Sequence, residues 1–402
     1  MNRLSIANIG PINEANLDLN KINVFIGPQN CGKSIIAKAL SYCQWVEKRY
    51  ILDDESDPLF LAVFMEFYGI DNGFMSEDSR ITYETENIYI ESIGCDPESV
   101  PKLRKKNKGD KYLKFKHVYI PAERNFTSTT IGVDQSVSEF YYILNYTHDW
   151  LDVCQDYSRK KTLPILNLGI EYYYNGQRGF NKSMLHIKGN GIDIGLEDAP
   201  SGVKSLVSLL LPFDRITADD FLWTKVPSTI TEKEKSDALS STFNSKGGFE
   251  CKDLTPEEKG VIRELYDIIR RRRCYHFSQF VIEEPEQNLS PETQRDLIYY
   301  LLEKISGERD HKLLITTHSP YILSALNNCM MAGLVYDKMD DESKAKIKCK
   351  KSRISPSKVK VYEIRDGKVE CIQQEDGLIG ENYLDQMMKE IMDEYHLMLN
   401  YY

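Results

Sequence analysis

Two apolar–polar alternations open the chain. Leu4 with Ile6, then Leu17 with Leu19, recur at period two around a Gly10-Pro11 turn, which predicts paired strands. Ile22 to Ile26 reads as a short buried strand, and a glycine loop follows it. Beyond the loop, Ile36, Ala39, Leu40 and Cys43 fall at helical spacing. Residues 50–110 read as polar and irregular, with strand candidates near Ile81 to Ile93. Lys116 to Pro121 reads as a strand, 135–160 as helical, and Ile165 to Ile194 as two or three strands. Val203, Leu206, Val207 and Leu210 mark another helix. A polar stretch over 212–258 precedes a charged helix from Pro256 to Arg273. Strand, loop and helix then alternate twice over 277–327, the signature of a parallel sheet. The tail offers a hairpin from Val359 to Ile372 around Asp366-Gly367, and a last helix from about Glu381. There is no internal repeat and no heptad tract long enough for a coiled-coil arm.

Composition narrows the class. With 402 residues, 41% hydrophobic and 28% charged, the chain is an ordinary globular protein able to bury a full core. The richest apolar run, Leu206 to Phe213, is broken by Ser208 and Pro212 and is far short of a membrane span. The first residues lack a secretory apolar stretch, so a cytoplasmic protein without membrane attachment is expected. The nine cysteines include no Cys-x-x-Cys pair, so no structural zinc is implied, and a chain of this size without a secretory signal is not expected to carry a disulfide framework. A formal charge of −10 argues against a surface that coats nucleic acid. Basic clusters at Lys102 to Lys116, Arg270 to Arg273 and Lys344 to Lys360 could engage DNA through one face, although such runs are usually solvated.

Four motifs carry chemistry. Gly27-Pro28-Gln29-Asn30-Cys31-Gly32-Lys33-Ser34 fits Gly-x-x-x-x-Gly-Lys-Ser between a buried strand and an amphipathic helix. Its backbone N–H groups, including those of Gly27, Asn30 and Gly32, would cradle phosphates of ATP. Lys33 would reach the β- and γ-phosphates, and Ser34 would supply an oxygen to Mg2+. Phe280 to Pro285 is a buried strand that delivers Glu283 and Glu284 at its carboxyl end. Glu283 would serve the magnesium shell, and Glu284 would polarise the attacking water. Leu313 to Pro320 is another buried strand, followed by His318 and by a Ser319-Pro320 helix start. A solitary histidine is more often structural; after an acid pair it becomes a γ-phosphate contact. The fourth motif, Ser201-Gly202-Val203-Lys204, opens a well-patterned helix whose amides face outward as an anion site.

In this order the motifs resemble the ABC ATPase superfamily, and within it the RecF- and SMC-like heads. The opening Leu4 to Ile12 and the run Glu284-Pro285-Glu286-Gln287-Asn288-Leu289 are similar to those of such heads. The resemblance implies an α/β ABC-type P-loop head with a mixed central sheet, an antiparallel β subdomain and a small helical lobe. The expected divisions are an N-terminal ATPase lobe (1–125), a helical insertion (126–165), strands with the signature helix (166–212), an insertion with the charged helix (213–275) and a C-terminal ATPase lobe (276–402). It also implies a homodimer or higher even-numbered oligomer that binds ATP between two heads. Ser201, Gly202 and Lys204 of one copy would close on the γ-phosphate held by Lys33 of the other, with Asn288 to Ser290 as the D-loop.

The pattern departs from the family in places. Glu283 stands where an aspartate is usual, the signature lacks its Gly-Gln ending, and Ser290 replaces the D-loop aspartate. No glutamine follows the strand ending at Pro121, where Glu123 or Arg124 stands instead, and Asn30-Cys31 is unusual inside the loop. Compact heads of this kind resemble ATPase subunits of bacterial anti-phage systems such as Septu, PARIS and retron-linked modules. That implies a separate nuclease or toxin effector and a trigger that is DNA or a phage protein. A RecF-like repair ATPase that clamps DNA and a slow-turnover, nucleotide-locked scaffold are the alternatives. No fused nuclease is expected after His318.

Overall fold

In the computed structural model, the described residues are 2–52, 60–96, 99–106, 112–128, 141–177, 180–218 and 275–402. The opening alternation pairs as expected. Strand β1 (Asn2–Ile9) runs antiparallel to β2 (Ile12–Leu19), with Leu4 opposite Leu17 and Ile6 opposite Ala15. On its other side β1 pairs with β4 (Met75–Glu84), which continues through β5 (Ile88–Ile93) to β6 (Lys102–Lys105) as an antiparallel wing.

The wing is part of one eleven-stranded sheet. Its parallel half comprises β3 (Ile22–Ile26), β7 (Phe115–Ile120), β12 (Phe277–Glu283), β13 (Lys312–Thr317) and β14 (Val359–Arg365), and β15 (Lys368–Cys371) joins β14 to β2. The order across this half is β14-β3-β13-β12-β7. A separate antiparallel sheet holds β8 (Leu163–Pro164), β9 (Ile170–Gln177), β10 (Phe180–Ile187) and β11 (Ile192–Gly195).

Parallel strands are apolar on both faces because both are covered. Ile22, Val24 and Ile26 of β3 face one core and Phe25 faces the other. The Phe25 side is covered by α1 (Lys33–Leu52) and α2 (Phe60–Tyr68). The opposite side is covered by α3 (Tyr141–Cys154), α4 (Ser201–Thr217), α5 (Pro291–Ile305) and α6 (Pro320–Val335). A short α7 (Asp341–Lys346) and a final α8 (Tyr383–Leu399) complete the described helices. No described helix is long and apolar enough to cross a membrane. The seven described cysteines are free thiols.

The fold class is the expected mixed α/β head, with four differences in detail. Residues 60–68, read as irregular, form α2. The strands read over Ile165 to Ile194 are present as β9, β10 and β11, and β8, just before them, adds a fourth. The division after residue 125 falls inside a 3-10 turn, Ala122–Ser128, and α3 packs into the main core instead of standing apart. The division after residue 212 falls inside α4, which continues past Pro212 to Thr217. Proline normally breaks a helix by orphaning the carbonyl four residues back. Here that carbonyl belongs to Ser208, and the Tyr146 hydroxyl donates to it. The charged helix expected over Pro256 to Arg273, and the Arg270 to Arg273 cluster with it, lie outside the described residues.

Candidate functional site

The phosphate loop leaves the carboxyl end of β3 between two tight contacts. A Cβ on Gly27 (φ 155°) would sit 2.4 Å from the Ile364 carbonyl oxygen of β14, and one on Gly32 (φ 104°) would sit 2.6 Å from the Ile12 side chain. Both positions therefore require glycine. Asn30 holds φ at 60°, the left-handed region that asparagine tolerates among L-residues. Lys33 is 6% exposed, and its ammonium donates to the carbonyls of Gly27 (2.9 Å) and Pro28 (2.7 Å), with the Cys31 sulfur at 3.5 Å. Burial lowers its pKa, opposed by Cys31 and by the acids Glu284 and Glu286. Ser34 lies exposed in the first turn of α1.

Sheet register brings the other motifs to this edge. Thr317, the last residue of β13, pairs with Ile26, and Glu283, the last of β12, pairs with Thr316. The phosphate loop and the acid pair are therefore two strand positions apart, roughly 10 Å. Glu283 is 5% exposed, and burial raises its pKa to about 7 despite the attraction of Lys38. Tyr119 lies beside it, yet neither that hydroxyl nor Oε1 of Glu283 has a well-formed hydrogen bond.

Glu284 adopts φ 42°, a conformation that costs a non-glycine residue energy unless its surroundings enforce it. Its N–H donates to the Thr316 carbonyl at 2.9 Å. The Gln287 amide donates to Oε2 at 2.9 Å, while Oε1 faces Nε2 of His318 at 3.8 Å. Burial and then Lys33 lower the His318 pKa, outweighing Glu284, which favours the neutral imidazole. The His318 loop is fixed by Glu286, a half-buried acid that accepts from the His318 N–H (2.6 Å) and the Thr317 hydroxyl (2.7 Å). Ser319 caps α6 as the sequence suggests, accepting from the N–H groups of Tyr321 and Ile322.

Of the two residues that stand where a glutamine is usual after β7, Glu123 is exposed and Arg124 turns inward. Arg124 is 1% exposed, and its guanidinium donates to the carbonyls of Glu283 (2.8 Å), Glu284 (2.8 Å), Ser205 (3.3 Å) and Pro121 (3.4 Å). One cation thus binds the acid strand, the signature helix and the end of β7 together. Sequence reasoning also missed Tyr383, whose hydroxyl donates to the Gly27 carbonyl at 3.0 Å from the far end of the chain.

The signature residues open α4, the helix that Arg124 ties to the acid strand. Ser201 is exposed at the start of α4, and Lys204 is half-buried one turn on. A Cβ on Gly202 would come 2.3 Å from the Asn288 carbonyl oxygen, so this helix start is packed on the Asn288–Ser290 turn of its own chain. Asn288 has φ 59°, and Ser290 caps α5 by accepting from the Thr293 N–H. Among the described residues no hydrogen bond joins Ser201 or Gly202 to the phosphate loop of the same chain.

The donor set fits a magnesium nucleotide. Ser34 offers an exposed hydroxyl, and Glu283 offers a buried carboxylate oxygen without a donor, both the hard oxygen chemistry Mg2+ takes. Among the described residues no cluster of three His, Cys, Asp or Glu side chains could hold a metal unaided. A divalent ion at this edge would depend on phosphate oxygens for the rest of its ligands.

Solved structures similar to this chain include the SMC head domain from Thermotoga maritima, 11% identical over 93% of this chain and 98% of that one, TM-score 0.39. An SMC head domain with an extended coiled coil, bound to the C-terminal domain of ScpA from Pyrococcus furiosus, is 11% identical over 98% and 100%, TM-score 0.39. The recombination mediator protein RecF is 12% identical over 92% and 97%, TM-score 0.30. Likenesses this loose assign no function. No curated protein matches the sequence. The profile of the AAA domain, in contrast, matches residues 3–355, and the chain belongs to that family.

Proposed function

We propose that this protein is a magnesium-dependent ATPase whose two-copy, ATP-bound state controls a partner effector. The observation that carries the reading is the meeting of the phosphate loop, Glu283, Glu284 and His318 at one sheet edge, with Glu284 held by Gln287 and its backbone clamped by Arg124. Lys33 exchanges its loop carbonyls for the β- and γ-phosphates when ATP binds. Ser34 and Glu283 would hold Mg2+, which would neutralise phosphate charge. Glu284 orients the attacking water and accepts its proton, and neutral His318 donates a hydrogen bond toward the γ-phosphate.

Ser201 faces solvent and makes no hydrogen bond to its own phosphate loop among the described residues. That supports completion of the site by Ser201, Gly202 and Lys204 of a second copy, with Asn288 and Ser290 alongside. In the setting the resemblance implies, the ATP-bound pair restrains or licenses a separate nuclease or toxin in antiviral defence. Co-purification with the product of an adjacent gene tests that setting. A DNA clamp draws less support: Lys102, Lys106, Lys116, Lys344, Lys346 and Lys351 all pair with carboxylates.

The direct test is Glu284→Gln. Turnover is expected to fall 100-fold or more, the scale of a lost general base. With ATP and Mg2+ the variant should gain mass over its nucleotide-free form by size-exclusion chromatography with light scattering. Adding Lys33→Ala should abolish nucleotide binding and that gain in mass. A Glu284→Gln chain that binds ATP yet shows no ATP-dependent gain in mass overturns the two-copy reading.

A further inference from the structure

The last helix is anchored at one end and bare along the rest. Its start is built firmly: Asn382 and Asp385 form a reciprocal capping box, and the Tyr383 N–H donates to Glu363 at 3.0 Å. The Tyr383 hydroxyl reaches Gly27, and Gln386 accepts from Arg365 at 2.9 Å. From Asp385 to Tyr402 every residue is exposed, apolar and polar alike. The helix therefore extends roughly 25 Å with almost nothing beneath it among the described residues. An isolated helix of this length is marginal in water, so a partner is needed to hold it.

Its surface is not that of a solvated helix. Leu384, half-buried against the chain's own core, begins a row that continues through the exposed Met388, Ile391, Tyr395 and Met398 at alternating steps of four and three, with Met387 beside them. At about 100° per residue these and the adjoining Met392 and Leu399 fill one arc of about 140°. Gln386, Lys389, Glu390 and Asp393 lie on the opposite side. Met388 is 58% exposed, Ile391 57%, Met398 57% and Tyr395 52%. The arc exposes on the order of 700 Å² of mostly apolar surface, close to the ~800 Å² one partner gives a standard interface.

We infer that α8 pairs with α8 of a second copy, in a contact that needs no nucleotide and is distinct from the ATP seam. The alternating four–three seam is self-complementary, since each such row meets the same row on a partner helix. Self-pairing turns Lys389, Glu390 and Asp393 outward on both copies and leaves Glu394 at the margin of the seam. That face carries more acid than base, which disfavours an anionic membrane as the occupant. Two different two-fold contacts on one chain link ATP dimers into larger assemblies.

The test is the mass of the full chain at micromolar concentration without nucleotide, by size-exclusion chromatography with light scattering. The wild type is expected as a dimer or larger, and Lys33→Ala should match it. Met388→Glu with Ile391→Glu should lower the mass to that of the monomer, with an unchanged circular dichroism spectrum. Ile391 is the midpoint of the seam and meets its own copy in a parallel pair or in a centred antiparallel one. Ile391→Cys is therefore expected to give an oxidant-dependent, disulfide-linked dimer above the wild-type background. A nucleotide-free wild type that is monomeric overturns the inference. So does a folded double variant that keeps the wild-type mass, which would mean that something else covers this face. If the double variant does not fold, the Ile391→Cys chain decides, and absence of the cross-link overturns the inference. Loss of the ATP-dependent dimer alone, with the nucleotide-free mass intact, would count against the ATP seam and leave this contact standing.

Discussion

Two buried residues at the acid edge make opposite demands on the fold. Glu283 is a carboxylate in an apolar setting, with a folded-state pKa near 7 against an ordinary 4.5. Because the folded state holds the proton more tightly, its contribution to stability is greatest below pH 4.5 and is lost as pH rises toward 7. The loss is on the order of 3 kcal/mol. Glu283→Gln should remove it. In the presence of a chelator, wild-type melting temperature should fall between pH 5 and 7.5 relative to Glu283→Gln, and parallel profiles would contradict the burial argument. Arg124 is the reverse case, a cation whose cost of burial is offset by four carbonyl acceptors. Arg124→Met leaves the Glu283 and Glu284 carbonyls without their donor, at about 1–3 kcal/mol each. Urea unfolding should show the loss, and turnover should fall because Glu284 no longer has its enforced φ. A variant with wild-type stability and turnover would remove Arg124 from its positioning role.

At the scale of elements, α4 shows where local pattern informs and where it does not. Its apolar spacing predicts the helix from Val203 onward, but Pro212 argues for a stop. The rescue comes from Tyr146, a hydroxyl 62 residues away in sequence. Arg124 is illegible for a similar reason: its partners are backbone carbonyls at 205, 283 and 284, and every residue has a carbonyl. The helix over Phe60–Tyr68 is nearly continuous apolar sequence, which carries no period to distinguish it from a strand. The glycine loop, the acid pair and the Ser319-Pro320 cap could be read because each motif is contiguous and set by local backbone demands. Gly202 tests the meeting of α4 with the Asn288–Ser290 turn. Alanine is intrinsically the better helix residue by ~1 kcal/mol, yet its Cβ would sit 2.3 Å from a backbone oxygen. Gly202→Ala should therefore destabilise by about 1–3 kcal/mol. It should also slow turnover at least tenfold while leaving ATP affinity within twofold. A raised melting temperature with full turnover would show that the turn yields freely.

The whole molecule depends on a late segment of the chain. Strands β14 and β15, residues 359–371, enter the sheet between β3 and β2, two strands from the N-terminal end. Val359, Val361, Tyr362 and Ile364 are buried there, and the Ile364 carbonyl bounds Gly27 of the phosphate loop. The hairpin therefore joins the antiparallel wing to the parallel half and walls the nucleotide site. The AAA domain match ends at residue 355, just before it. A chain cut after residue 355 would leave one edge of β3 and one of β2 unpaired in the middle of the sheet, an arrangement that invites aggregation. It is expected to be insoluble or to melt without cooperativity. A chain cut after residue 381 keeps the hairpin and loses only α8 with its Tyr383 contact. It should fold, melt cooperatively and still bind ATP by fluorescence titration. If the shorter chain were soluble and bound ATP equally well, the hairpin would be an accessory to the head instead of its central strand pair.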